Sequence, residues 1–174
     1  MSQDLKEIIA ATQNAYRQDP DAAKATLTSS SRLVEGFRSN AKLRDHTITI
    51  DEPEALGGTD AGPNPVELIL AALGSCQEIT YRAYATALDI PLAEVRVEIE
   101  GDIDLRGFFA VDESVRAGYS AIRGTVHLVS DAPDADIAKL REVVNAHCPV
   151  LDIMSNPVPV ALDVVHEKAR DAAA

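Results

Sequence analysis

The sequence predicts an α+β fold built on antiparallel sheet, and three observations carry this. Residues 46–50 and 95–103 alternate apolar and polar side chains with the period of a half-buried strand. Residues 66–73 are apolar on every side, the mark of a helix enclosed in a core. The element order is helix, hairpin, buried helix, strands, helix, strand, which reads as α+β.

Residues 3–28 read as helix in two pieces. Leu5, Ile8, Ile9 and Thr12 recur at helical spacing, and Asp19-Pro20 restarts a helix with Asp19 as N-cap and Pro20 at the first position. This stretch has little apolar surface for its length, so it is expected to pack on something, such as a partner subunit. It is assigned to an N-terminal helical extension, residues 1–30, ahead of one domain, residues 31–174. From Ser31 the pattern becomes strand, with Leu33, Glu35 and Phe37 alternating against Val34, Gly36 and Arg38. Arg44-Asp45-His46 is the expected hairpin turn into His46-Thr-Ile-Thr-Ile50. A loop rich in glycine and proline follows over residues 52–63.

Asn64 opens a helix expected to reach about Leu88. Asn64 is an N-cap, Pro65 fits the first helical turn, and Glu67 three residues on completes a capping box. Ile90-Pro91 ends it. Residues 95–103 form a strand, and a further strand or pair of strands lies around residues 121–129, with Phe108 and Phe109 in the connection. Residues 131–148 read as a second core helix, with Ile137, Leu140, Val144 and either His147 or Cys148 on one face. A last strand is expected over residues 158–165, at a sheet edge because of Pro159. No internal repeat is present, and the one low-complexity stretch is the terminal Asp-Ala-Ala-Ala. So few strands cover the buried helix poorly, and two chains sharing a core are the natural remedy.

Composition narrows the function. The 174 residues carry a formal net charge of −12, which argues against nucleic acid and against anionic membrane surfaces as partners. Aromatic residues make up 4% and tryptophan is absent, so base-stacking platforms are lacking. No apolar run reaches the ~18 residues of a membrane span, and the polar N-terminus has no signal-peptide core. The expected location is the cytoplasm, where a disulfide is more often transient than structural.

The chain has two cysteines, Cys76 and Cys148. Cys76 lies deep in the apolar helix, and Cys148 closes an amphipathic run and precedes Pro149. A sheltered thiolate and a second thiol able to meet it are the minimal equipment for reducing a peroxide, through a sulfenic acid and then a disulfide. The alternative is that both are small buried hydrophobes. Other chemistries find little support. His46, His127, His147 and His166 show no metal-ligand spacing among them, and adjacent His147 and Cys148 would point about 100° apart on a helix. The Gly57-Gly58 loop lacks the Lys-Ser/Thr of a phosphate-binding loop, and no Gly-x-Ser-x-Gly elbow occurs. No metal and no cofactor is expected.

The stretch Asp51-Glu-Pro-Glu-Ala-Leu-Gly-Gly-Thr-Asp-Ala-Gly-Pro-Asn-Pro-Val-Glu-Leu-Ile-Leu-Ala-Ala-Leu-Gly-Ser-Cys76, with Gly101-Asp-Ile-Asp-Leu-Arg-Gly-Phe108 and His147-Cys148-Pro149, resembles the OsmC/Ohr family. These are the osmotically inducible and organic-hydroperoxide-resistance proteins, and the resemblance covers about residues 31–166. It implies an intertwined homodimer in which antiparallel sheets from both subunits wrap two central helices. It also implies a peroxidase that acts on organic hydroperoxides and is regenerated by a dithiol reductant. In that role Cys76 would attack and Cys148 would resolve.

The family's peroxidases carry a glutamate ten residues before the attacking cysteine, which orients an arginine that lowers the thiol pKa. Here Val66 holds that position and Glu67 is the nearest carboxylate, as in a broader branch of the family. On an ideal helix the nine steps from Glu67 to Cys76 turn by about 900°, which sets the two on opposite sides. Glu67 therefore has two readings, helix cap and catalytic carboxylate. The arginine is expected at Arg38, with Arg44 second. A further functional reading is an OsmC-fold dimer without peroxidase activity that binds a small apolar ligand.

Overall fold

The computed structural model describes residues 2–168; Met1 and the low-complexity tail lie outside this range. Helix α1 spans Ser2–Gln18 and ends in a single 3-10 turn, Pro20–Ala23, whose N-cap Asp19 accepts from the Asp21 amide. The second helical piece is thus only this turn. Residues 24–29 are not helical, and their Thr and Ser side chains compete for backbone hydrogen bonds rather than favour a helix.

Strands β1 (Ser30–Glu35), β2 (Arg38–Leu43) and β3 (His46–Ile50) form an antiparallel meander. The expected turn at Arg44-Asp45 is present, with Arg44 at φ +54 and Leu43 paired with His46. The strand expected to run through to Arg38 is corrected. The chain reverses at Gly36, whose φ of +52 lies in the left-handed region that glycine enters freely. Strict alternation through residues 33–38 hid this turn, because period-2 patterning continues across a tight hairpin.

Helix α2 (Pro65–Ala87) follows the loop, and β4 (Glu94–Asp102) pairs antiparallel with β5 (Ala121–Val129) in an unbroken register. A short helix α3 (Leu105–Phe108) lies in their connection. Helix α4 (Asp134–His147) begins after Pro133, and Pro149 opens a further helix, α5 (Pro149–Ser155). The sequence reading missed α5. Pro149 lacks the N–H needed to continue α4 but suits the first turn of a new helix.

Two expectations fail within one chain for a shared reason. Residues 158–165 form no strand; they run exposed, with Leu162 89% accessible, because no sheet edge of this chain receives them. Helix α2 is not enclosed either. It buries Leu73, Gln77, Thr80, Tyr81 and Ala85 on one face and leaves Ile79 70% exposed on another.

The core lies where α2 and α4 cross behind β4–β5. Leu140 and Val144 are fully buried against Tyr81, Ala85 and Leu92, with Val95, Val126 and Leu128 closing the sheet side. Leu140→Ala removes a filled core position and is expected to cost about 2–5 kcal/mol of unfolding free energy. A denaturant midpoint unchanged from wild type would refute this placement of the core. Among the described residues, no helix is long and apolar enough to cross a membrane.

Candidate active site

The site begins with the loop that starts α2. Asp51, 1% exposed, ends β3 with a carboxylate that organises this loop. One oxygen accepts from the Glu52 amide at 2.9 Å; the other accepts from the Thr59 hydroxyl at 2.6 Å and from the amides of Thr59 and Ala61 at 3.0 and 3.2 Å. A Cβ on Gly58 would fall 1.8 Å from the Glu52 carbonyl oxygen, so only glycine fits there. The loop delivers the chain to Asn64, whose side chain accepts from the Glu67 amide while the Glu67 carboxylate accepts from the Asn64 amide, both at 2.9 Å. The capping box read from sequence is therefore present.

The hydrogen bond from the Thr59 hydroxyl, with the three amides, holds the Asp51 carboxyl down at about 2 from its ordinary 3.8, against the opposing effect of burial. A depressed folded-state value means that the stabilisation is complete above the unfolded value and disappears as pH falls through the folded one. The loop is expected to hold at neutral pH and to loosen between about 3.8 and about 2. Asp51→Asn should remove this acid dependence and speed amide exchange at Thr59 and Ala61 at neutral pH. Unchanged exchange at those amides would refute the assignment.

Cys76 sits midway along α2, and Cys148 caps the end of α4 in an extended conformation. The turn from α4 to α5 aims Cys148 inward, where it is fully buried, and leaves His147 outward, stacked on Tyr84 with ring centroids 5.4 Å apart. The two thiols are free and their sulfurs lie 3.3 Å apart across 72 positions of sequence. Cys148 Sγ is placed to donate to Cys76 Sγ. Cys76 is the more accessible of the pair.

Burial pushes the Cys76 thiol up, and the neighbouring Cys148 adds to this. The Val150 N–H, in the first turn of α5, and the Thr80 hydroxyl pull the other way. In this arrangement the single Thr80 hydroxyl proton goes to the Cys76 carbonyl at 2.7 Å, so it favours the thiolate only by turning to the sulfur. No cation among the described residues acts on this sulfur. The expected arginine, Arg38, pairs with Glu35 at 2.9 Å across the β1–β2 turn, and Arg44 occupies the β2–β3 turn. Glu67 is engaged in the helix cap. One chain brings the two cysteines together but not Arg38 or Glu67 with them.

A cavity of about 520 Å³ runs along the first half of α2, lined by Val66, Ile69 and Leu73 and closed by Leu151 and Met154 of α5. Tyr119 and Arg116 stand at its other wall, and the Tyr119 hydroxyl donates to the Val66 carbonyl at 3.0 Å. Burial raises the Tyr119 hydroxyl, and the nearby Glu67 carboxylate raises it further. Sequence reasoning missed Thr80, Tyr119, Arg116 and the Val150 amide. Thr80, four residues after Cys76 and thus on its helix face, carried a readable signal. The others arrive from distant segments and carried none.

Comparison with known proteins bears on the family and the fold. The family model described as OsmC-like protein matches residues 58–163, more than half of the chain. No curated protein matches. An OsmC-like protein from Mycoplasma pneumoniae superposes with a TM-score of 0.66 at 18% identity, covering 77% of this chain and 90% of that one. An organic hydroperoxide resistance protein from Legionella pneumophila gives 0.57 at 21% identity, covering 75% and 91%. Another from Elizabethkingia anophelis gives 0.56 at 17% identity, covering 77% and 91%. At these identities the likeness establishes the fold.

Proposed function

We propose, from the premise that this chain belongs to the OsmC-like protein family, that it is a thiol-dependent peroxidase for organic hydroperoxides. The observation that carries this reading is the pair of free thiols 3.3 Å apart, one accessible and one fully buried. The Cys76 thiolate attacks the terminal oxygen of the hydroperoxide, and the O–O bond breaks. The organic fragment leaves as an alcohol after taking a proton from water, and Cys76 becomes a sulfenic acid. The Cys148 sulfur then attacks the Cys76 sulfur, a disulfide forms and water leaves. A dithiol reductant restores both thiols by two exchange steps. From 3.3 Å the sulfurs need only a small approach to reach the bonded distance of about 2.05 Å.

The working unit in this reading is a homodimer in the cytoplasm. The exposed face of α2 and the unpaired apolar residues 158–165 support a second copy as the missing cover. A cation for Cys76, Arg38 or Arg44, would come from that copy, with Glu67 as the nearest carboxylate to orient it.

A second reading is an OsmC-fold dimer without peroxidase activity that binds a small apolar ligand. It is favoured by the raised Cys76 thiol and by the largely apolar cavity along α2. Turnover of cumene hydroperoxide with a dithiol separates the two. Consumption of the hydroperoxide supports the enzyme, and no reaction of the wild-type thiols leaves the binding reading.

A further inference from the structure

The two sulfurs differ in surroundings as well as in depth. On α2 the surface neighbours of Cys76 are Ala72 and Leu73 one turn before it and Ile79 and Thr80 one turn after. Leu73 and Thr80 are buried, whereas Ala72 and Ile79 are exposed. Cys76 therefore sits on the border of the buried face, and it keeps accessible surface while touching Cys148. Cys148 has no such open flank. It is fully buried, as are Val144 one turn before it and Leu140 a further turn back, both in the core. A thiolate that splits a disulfide must reach the sulfur it attacks from the side away from the bond it breaks, so access decides which sulfur is hit.

We propose that, once Cys76 and Cys148 are joined, the reductant attacks Cys76 and not the resolving Cys148. One sulfur then receives both the oxidant and the reductant, through the same flank of α2. The reductant thiolate bonds to Cys76 Sγ, and the Cys76–Cys148 bond breaks. Its electron pair leaves with Cys148, which takes a proton from water. The product is a mixed disulfide between Cys76 and the reductant. Cys148 now competes, because its sulfur lies 3.3 Å from Cys76 Sγ in the reduced pair and can attack back and expel the reductant. A dithiol able to close a small ring escapes this reversal. Its second thiol attacks its own bound sulfur, the cyclic disulfide leaves, and Cys76 departs as a thiolate that takes the second proton. The reductant class is therefore a ring-closing dithiol, and a monothiol is returned to solution by Cys148. The place of this exchange in a catalytic cycle rests on the peroxidase reading, but the order of attack does not.

The test uses the full-length protein, with its disulfide made by diamide rather than by a hydroperoxide. Oxidised wild type is mixed with mercaptoethanol, quenched in acid within milliseconds to seconds, and read by peptide mass spectrometry. The mixed disulfide is expected on the Cys76 peptide, with Cys148 free. Complete reduction should depend on the square of the mercaptoethanol concentration but on the first power of dithiothreitol. In the single-cysteine variants, the Cys76 of Cys148→Ser should react with dithiodipyridine on the order of 100-fold faster than the Cys148 of Cys76→Ser, which exchanges only when the structure opens locally. A mixed disulfide on Cys148 in wild type overturns the proposal, as do equal rates in the two folded variants. Failure of diamide to link the two thiols overturns it as well. If Cys76→Ser does not fold, the wild-type trap decides alone. A wild type that consumes no hydroperoxide sinks the peroxidase reading, and the diamide-made disulfide still decides the order of attack.

Discussion

Cys76→Ser is expected to abolish hydroperoxide turnover, whereas Cys148→Ser is expected to complete one turnover and then stall. The first change replaces the accessible sulfur with a hydroxyl that does not ionise near neutral pH, so no nucleophile remains. The second leaves the attack intact but removes the fully buried partner that sits 3.3 Å away. The sulfenic acid then persists and is open to further oxidation. Mass spectrometry after one equivalent of cumene hydroperoxide should show about 16 Da added to Cys76 in the Cys148→Ser variant, one oxygen per site. In wild type the same treatment should show the loss of two hydrogens and a Cys76–Cys148 disulfide. Equal turnover by wild type and Cys76→Ser would refute the enzyme reading. The rate depends on how far the thiol is held above its ordinary range. Burial opposes the thiolate, and among the described residues the Val150 amide and the Thr80 hydroxyl are the groups that favour it. The Cys76 oxidation rate should therefore rise steeply with pH across the neutral range.

The parts of this fold that were legible in the sequence are those fixed by neighbouring residues. Helix α2 announced itself through Asn64, Pro65 and Glu67, and the reciprocal cap is present as read. The Arg44-Asp45 turn and strand β4 followed from local pattern in the same way. Elements set by distant contacts were not legible. The turn at Gly36 was masked because alternation continued through it. Helix α5 was hidden by Pro149, which stops one helix and starts the next. The meeting of Cys76 and Cys148 could not be derived from periodicity; the resemblance to a family suggested it, and the α4–α5 turn explains it. Glu67 carried two readings, and in one chain its carboxylate is taken up by the cap at 2.9 Å.

The full chain is expected to sediment as a dimer at micromolar concentration, and removal of residues 157–174 should dissociate it. The argument starts from what one chain leaves uncovered. A two-stranded sheet such as β4–β5 is marginal by itself, and among the described residues neither of its outer edges is paired with a further strand. Residues 158–165 place Val158, Val160, Leu162 and Val164 in solvent at alternate positions, the pattern of a strand with one apolar face. Ile69 and Ile79 form a second uncovered strip on α2, on the flank that carries Cys76. Apolar surface of this extent is uncommon on a monomer and marks an interface. A second copy satisfies both needs, because each chain offers a segment with an apolar face and each has an edge to receive one. Folding would then be coupled to association, so the unfolding temperature of the full chain should rise with protein concentration. The truncated chain should show no such dependence and should unfold at a lower temperature. It should also lose hydroperoxide turnover with both cysteines still present, since the cation for Cys76 would come from the second copy. A monomer at micromolar concentration, or a truncated chain that keeps the dimer, would refute this account of the assembly.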